Sequence, residues 1–385
     1  MCFAPVTVSP AGEVHVDHTA ASRTLIVGER PAFPLPGRKQ KLPNFVMDSQ
    51  ILPIWDASDD LSQCQILCGG QWCSMERDMR MMVSVITRAL LLVAALSVGG
   101  CSVRGVAVET IGDMLSAGSS AFADEDDIEL VGEALPFSLK LTDSLLQESP
   151  EHHGLLRAAA RAYVLYSYAY VHFPAEKATD QDLERARKLR GRARKLYLRA
   201  FDYAIRGLEI DWPGIGPAIL DNPSKAVARI DRNETDAVPF LYWAASALGL
   251  AITVSKDDPA MLARLPEVEA MLQHALVLDE TFDSGALHEF ALILAAEAPR
   301  PADRSIIDHH YGRALELSER KRASLYVAYA MAVPLRTQDR EKFRALIEKA
   351  LAIAPDEVPG QRLQTAITHR RARWLLSRTD ELFLK

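Results

Sequence analysis

The chain has 385 residues, 49% hydrophobic and 25% charged, with a formal net charge of −7 at pH 7. That is length enough for two or three domains of ordinary folded composition. The negative balance argues against a nucleic acid partner, because phosphate binding wants a basic face.

The first hundred residues read differently from the rest. All five cysteines lie at or before Cys101, and the run Cys64, Cys68, Cys73 matches no zinc spacing. Residues 1–74 are rich in Pro and Gly and hold neither a 3.6 nor a 2 period. Then Arg77, Arg80 and Arg88 precede the apolar stretch Ala89 to Val98 and the sequence Gly99-Gly100-Cys101. So short an apolar stretch is a signal-peptide core, since a membrane span needs about 20 residues. Small residues directly before a Cys resemble the bacterial lipobox, so residues 75–101 are the expected signal peptide and Cys101 the expected lipidation site. The alternative is an ordinary signal cleaved near Gly100. A signal works from the N-terminus, which places the true start at Met75, Met79, Met81 or Met82 and leaves 1–74 as a mis-called start. The alternative there is a disordered extension. The expected location is the periplasm, with the membrane reached through the lipid anchor only. Ser102 favours the outer membrane over the inner, and more than one acyl chain makes such an anchor stable.

Residues 102–125 read as a tether with a short helix, Ala107 to Phe122. Helices follow at Asp126 to Gln147, kinked at Pro136, and at Leu155 to Phe173, closed by Pro174. The third, Asp182 to Ile210, carries the basic run Arg185 to Lys195 as its solvated face. Trp212-Pro213-Gly214 is a break, and the stretch to Asn233 is an insertion with a small helix at Ser224 to Ile230. Further helices span Phe240 to Val254, Pro266 to Leu278, Ser284 to Ala298, Pro301 to Leu317, Lys321 to Val333, Asp339 to Ile353 and Gln361 to Phe383.

One signature recurs at helix ends: a small residue, Leu, any residue, an aliphatic. It occurs at Gly207-Leu208-Glu209-Ile210, Ala275-Leu276-Val277-Leu278, Ala314-Leu315-Glu316-Leu317 and Ala350-Leu351-Ala352-Ile353. The copies start 68, 39 and 36 positions apart. Units of about 34 residues are the period of tetratricopeptide (TPR) helix pairs. The small residue lets two helices approach closely, while the aliphatics sit on the buried stripe. The expected fold is therefore all-α: a TPR-like helical-hairpin solenoid over 126–385 with a C-terminal capping helix.

No constellation for catalysis stands out. His288-Glu289 begins like a zincin motif, but Leu292 stands where the second His is needed. His152-His153 and His309-His310 have no Cys or carboxylate trio beside them in sequence. There is no Walker A, no GxGxxG after a strand and no GxSxG elbow. We therefore expect no enzyme activity, cofactor or metal. Tyr163, Tyr166 and Tyr170 share one helix face, and read either as a ligand-facing wall or as core. With Tyr242, Trp243 and Phe290 they are the candidates for an apolar cavity, and packing competes for every one.

Several stretches in register resemble one family: Tyr197 to Glu209, Pro239 to Ala245, Ser255 to Pro259, Gly285 to Phe290, Tyr326 to Tyr329, Arg370 to Leu376 and Asp380 to Phe383. They are similar to the T component (TatT) of TRAP transporters, periplasmic TPR-like lipoproteins that accompany the solute-binding P component. The leading 74 residues depart from that family's pattern. The resemblance implies an accessory role, docking on the P component, and help with a small hydrophobic or amphipathic ligand such as an organic acid. Some members resemble homotrimers with a hydrophobic channel through each protomer. The rival reading is a structural TPR adaptor for envelope assembly with no small ligand. An apolar pocket inside the solenoid, against a closed core with a polar concave face, separates the two.

Overall fold

Side-chain carboxylates set where the helices begin. Asp127 accepts the Leu130 N–H at 2.9 Å and opens α1, Ile128–Glu148. Asp182 does the same for α4, Leu183–Asp211, through the Arg185 N–H at 2.9 Å. Each satisfies one of the amide donors that a helix start leaves without a partner. The computed structural model describes residues 80–88, 110, 119–297 and 303–384. The chain divides into two units, Met1–Met79 and Arg80–Lys385, and the architecture below belongs to the second. The expected signal core Ala89 to Val98, Cys101 and residues 1–74 lie outside the described residues.

Among the described residues every regular element is helical. After α1 come α2, His153–Ser167, and a π turn, Tyr168–His172, which runs on into α3, Phe173–Ala178. Pro174 was expected to close the helix, yet the chain continues through it. The π turn hydrogen-bonds five residues back, from the Phe173 N–H to the Tyr168 carbonyl. That wider turn relieves the clash a proline ring makes with the carbonyl four residues earlier. The remaining long helices are α5 (Val238–Thr253), α6 (Leu265–Leu278), α7 (Phe282–Glu297), α8 (Arg304–Leu317), α9 (Ala323–Ala332), α10 (Arg340–Ala352) and α11 (Arg362–Ser377). The insertion before α5 holds two short helices, Ile215–Asp221 and Pro223–Val227, where one was expected.

The helices pair as α2 with α4, α5 with α6, α7 with α8, and α9 with α10. The first members also touch one another in series, α2 to α5 to α7 to α9, and α9 to α11. They form an inner layer, with the second members outside. Residues Thr235–Thr253, which include α5, are long and apolar enough by length and composition to cross a membrane. More than half of that stretch is buried, and α5 packs on α4, α6 and α2, so it is the central core helix.

All four copies of the signature fall at the ends of second members: α4, α6, α8 and α10. Their small residues mark close approaches. A Cβ on Gly207 would lie 2.2 Å from Cε1 of Phe240 in α5. Ala275, Ala314 and Ala350 are fully buried. Gly285, at φ +88°, comes so near α8 that an added Cβ would stand 3.1 Å from the Ala314 Cα.

The last helix returns to the first ones. Arg362 pairs with Asp126 at 2.6 Å, Arg370 with Glu129 at 2.5 Å, Arg371 with Glu176 at 2.8 Å, and Arg378 with Asp180 at 2.7 Å. The Trp374 ring meets Phe173 edge-on, centroids 5.3 Å apart. Thus α11 covers the end of the last pair and joins it to α1 and α3, so the inner layer closes on itself.

Two predictions follow from this packing. Gly207→Ala gains helix propensity of about 1 kcal/mol but drives a methyl into the buried Phe240 ring, an overpacking that costs about 1–3 kcal/mol. Urea melts are expected to show net destabilisation, partly recovered when Phe240→Leu is added. The second concerns His172, buried with Nδ1 3.1 Å from the Tyr197 hydroxyl oxygen. Burial pushes its imidazole down to about 4, against the pull of Glu176 and with Arg371 and Arg190 pushing the same way. The unfolded chain takes up this proton below about 6.5 while the folded chain resists it down to about 4. Stability is therefore expected to be fully present above pH 6.5 and to fall by about 2–3 kcal/mol as the pH drops to 4. His172→Gln should flatten that part of the pH profile of urea-unfolding free energies.

Candidate functional site

The closed inner layer surrounds a cavity of about 850 Å³. Leu135 and Leu139 of α1, Ala158, Ala162 and Leu165 of α2, and Leu250, Ile293 and Leu294 of α5 and α7 supply much of its wall. Most of these positions recur at three- and four-residue steps, which is why one face of each helix can be given wholly to the interior.

Three of the six candidate aromatics border this cavity. Tyr242 and Trp243 of α5 and Phe290 of α7 all line it. Tyr242 sits at their centre, with ring centroids 4.8 Å from Trp243, 6.5 Å from Phe290 and 5.3 Å from Phe282. The other three, Tyr163, Tyr166 and Tyr170, lie elsewhere, between α1, α2 and α4. The Tyr163 and Tyr203 hydroxyls both donate to Asp143, at 2.9 and 2.7 Å, and Arg199 donates to the Tyr163 oxygen at 3.2 Å. Burial pushes the Asp143 carboxyl up, but hydrogen bonds from Lys140, Tyr203 and Tyr163 outweigh it and hold the group below its usual range. Tyr166 stacks on Tyr170 at 5.5 Å, and the Tyr170 hydroxyl donates to the Ile128 carbonyl at 2.7 Å. This face of α2 ties α1 and α4 together.

Another face of α2 turns to the cavity and leads to Tyr168, the first residue of the π turn, an aromatic outside the Tyr163–Tyr166–Tyr170 set. Tyr168 follows Leu165 by three residues, so helical period alone groups it with Ala158, Ala162 and Leu165. The sequence displays two aromatic faces without marking which one looks inward.

One polar cluster is built into the wall. Arg322, 3% exposed, donates from Nε to Glu289 at 2.6 Å, from one terminal nitrogen to the Asp283 carboxylate at 3.1 Å, and from the other to the Asp283 carbonyl at 2.7 Å. The Ser324 hydroxyl adds a bond to Glu289 at 2.9 Å. Burial opposes the guanidinium charge, but Glu289 and Asp283 outweigh it and the side chain stays protonated. Burial likewise pushes the neighbouring Tyr242 phenol up, which keeps it a neutral donor. Asp283, Ser284 and Gly285 lie in the left-handed region at φ 44°, 52° and 88°. Non-glycine residues rarely hold that conformation, and Arg322, at the start of the next hairpin, fixes the turn. No local spacing in the sequence links residues 242, 283, 289 and 322.

A histidine group lies at the α7–α8 contact. His288 Nδ1 stands 2.9 Å from His310 Nδ1, while His288 Nε2 faces Glu280 at 3.2 Å. Glu280 can only accept there, so Nε2 carries the proton, His288 Nδ1 accepts, and His310 donates. Burial lowers the proton affinity of both rings. The sequence connected His309 and His310 to neither His288 nor Glu280. Among the described residues no group of three or more His, Cys, Asp or Glu is arranged to hold a metal ion.

Two comparisons with known proteins bear on this geometry. The chain is 28% identical over 266 residues to an uncharacterized protein of Treponema pallidum (strain Nichols), a match covering 68% of this chain and 82% of that protein. Residues 124–383, the helical layer from three residues before the N-cap of α1 to the residue that closes the last short helix, match the model of the TRAP transporter T-component, TAtT. That family is a transporter accessory subunit rather than an enzyme, and a match over most of the chain shows that this protein belongs to the TRAP transporter T-component family.

Proposed function

We propose that the chain works as a lipid-anchored periplasmic T component that docks on its solute-binding P component and carries a small, largely apolar ligand in the central cavity. The observation that carries this reading is the cavity itself. About 850 Å³ lined mainly by aliphatic and aromatic side chains falls within the ~300–1,000 Å³ typical of small-molecule sites, and Tyr242, Trp243 and Phe290 give a ligand an aromatic wall of rings set edge to face. A protein that served only as a scaffold would have no use for so large an unfilled apolar interior, because empty volume in a core destabilises it. Anchoring at Cys101, residence at the outer membrane and assembly as a homotrimer belong to the same proposal.

Two measurements test it. Mixed with the solute-binding P component of the same organism's TRAP transporter, the chain is expected to form a stoichiometric complex by size-exclusion chromatography with light scattering. Filling the cavity with Ala162→Trp is expected to weaken binding of the apolar fluorophore N-phenyl-1-naphthylamine at least tenfold, with the circular-dichroism melt of the helices little changed. Absence of both the complex and probe binding would return the protein to the role of a structural adaptor.

A further inference from the structure

We infer that the cavity takes a single-chain amphiphile with an anionic headgroup, and that Arg157 and Arg161 are the residues that hold the headgroup. This rests on reading the cavity as a ligand site. Seven ionisable side chains of fixed charge border the cavity: Arg157, Arg161, Lys256, Asp283, Glu289, Glu297 and Arg322. Five are accounted for within the protein. Lys256 pairs with Glu297 at 2.8 Å, and Arg322 pairs with Glu289 at 2.6 Å and Asp283 at 3.1 Å. Arg157 and Arg161 have neither an ion pair nor a hydrogen bond among the described residues.

Their placement makes that vacancy informative. They stand four residues apart on α2, on the face that also presents Ala158, Ala162, Leu165 and Tyr168 to the cavity. Like charges at this spacing disfavour a helix, so the pair gains nothing locally. The acidic chain does supply partners elsewhere: all four arginines that bring α11 back to the first helices are matched by carboxylates. An arginine keeps its charge at any physiological pH, and its planar fork of donors suits the oxygens of a carboxylate or phosphate. Arg157 is exposed and Arg161 half-buried, which places the charged end where a headgroup keeps part of its hydration. From Arg157 the same face runs for about 16 Å to Tyr168, through apolar side chains that share the cavity with Tyr242 and Phe290. One charged end joined to one long apolar run is the shape of a single-chain amphiphile.

The test compares three probes of equal chain length, dodecanoate, dodecyl phosphate and dodecanol, each below its aggregation concentration, by calorimetry on the full chain. At least one anion is expected to bind ten times or more tighter than dodecanol. Arg157→Gln/Arg161→Gln is expected to bring that anion to the level of dodecanol while leaving dodecanol binding and the thermal melt unchanged. The better of the two anions identifies the headgroup as carboxylate or phosphate. Equal binding of dodecanol and both anions would overturn the headgroup assignment while leaving the apolar cavity reading standing, as would a double variant that keeps the preference. Failure of all three probes to bind the wild-type chain would overturn both.

Discussion

The cavity exists because the helical layer closes, and the closure turns on Arg371. Its guanidinium reaches Glu176 at 2.8 Å and lies over the rings of Tyr168 and Phe173, each 5.6 Å from the centroid. Of the four arginine–carboxylate pairs that join α11 to the first helices it is the most enclosed, with side chains 17% and 27% exposed. The other three have partners at least half exposed and each contributes about 0–1 kcal/mol. A buried pair is a poor source of net stability but a strong constraint on arrangement, since either charge left alone is costly. Arg371 therefore fixes where α11 must sit, and the Trp374–Phe173 contact supplies the apolar area that holds it there.

Everything that matters for ligand chemistry depends on that closure. Without α11 against α1 and α3, the inner faces of α1, α2, α5 and α7 would line an open groove in contact with water. Drawn together, they shield most of that apolar face, and a lower local dielectric sharpens the charges at its edge. The Arg322 cluster shows how the wall tolerates charge: one guanidinium shared by two carboxylates, a hydroxyl and a strained left-handed turn. Each member is satisfied, so the cluster props the start of α7 without offering a free charge to a ligand. Arg157 and Arg161 are the exception, and this contrast gives the cavity a polarity along its length.

The helix register of the chain was legible from the start. Asp127, Asp182, Asp303 and Asp339 cap helices where the apolar period begins, and the Gly/Ala-Leu-x-aliphatic signature ends the second helix of four pairs. The cause is local: capping, period and close approach are written within a few residues of one another. Pro174 departs from its sequence expectation for the opposite reason. The rule for a proline assumes ordinary α geometry before it, and a π turn five residues long supplied a different one.

The site was only half legible. Tyr242, Trp243 and Phe290 lie in apolar segments where core and cavity wall read alike, and the fold sets them along the cavity. For α2, with tyrosines on both faces, period shows which residues travel together but not which group faces in. That depends on the neighbours to either side, α1 and α4 on one and α5 and α7 on the other. The amino-acid sequence by itself determined an all-α chain of paired helices, where most of them start, and the absence of the common catalytic motifs. Only the tertiary structure decided that the pairs close around a cavity, that Arg322 is satisfied by carboxylates 33 and 39 residues away, and that Arg157 and Arg161 are not. The physical reason is that capping and period act through neighbours in the chain. The pairing of charges and the enclosure of space are set by residues brought together from far apart, and no spacing in the sequence encodes them.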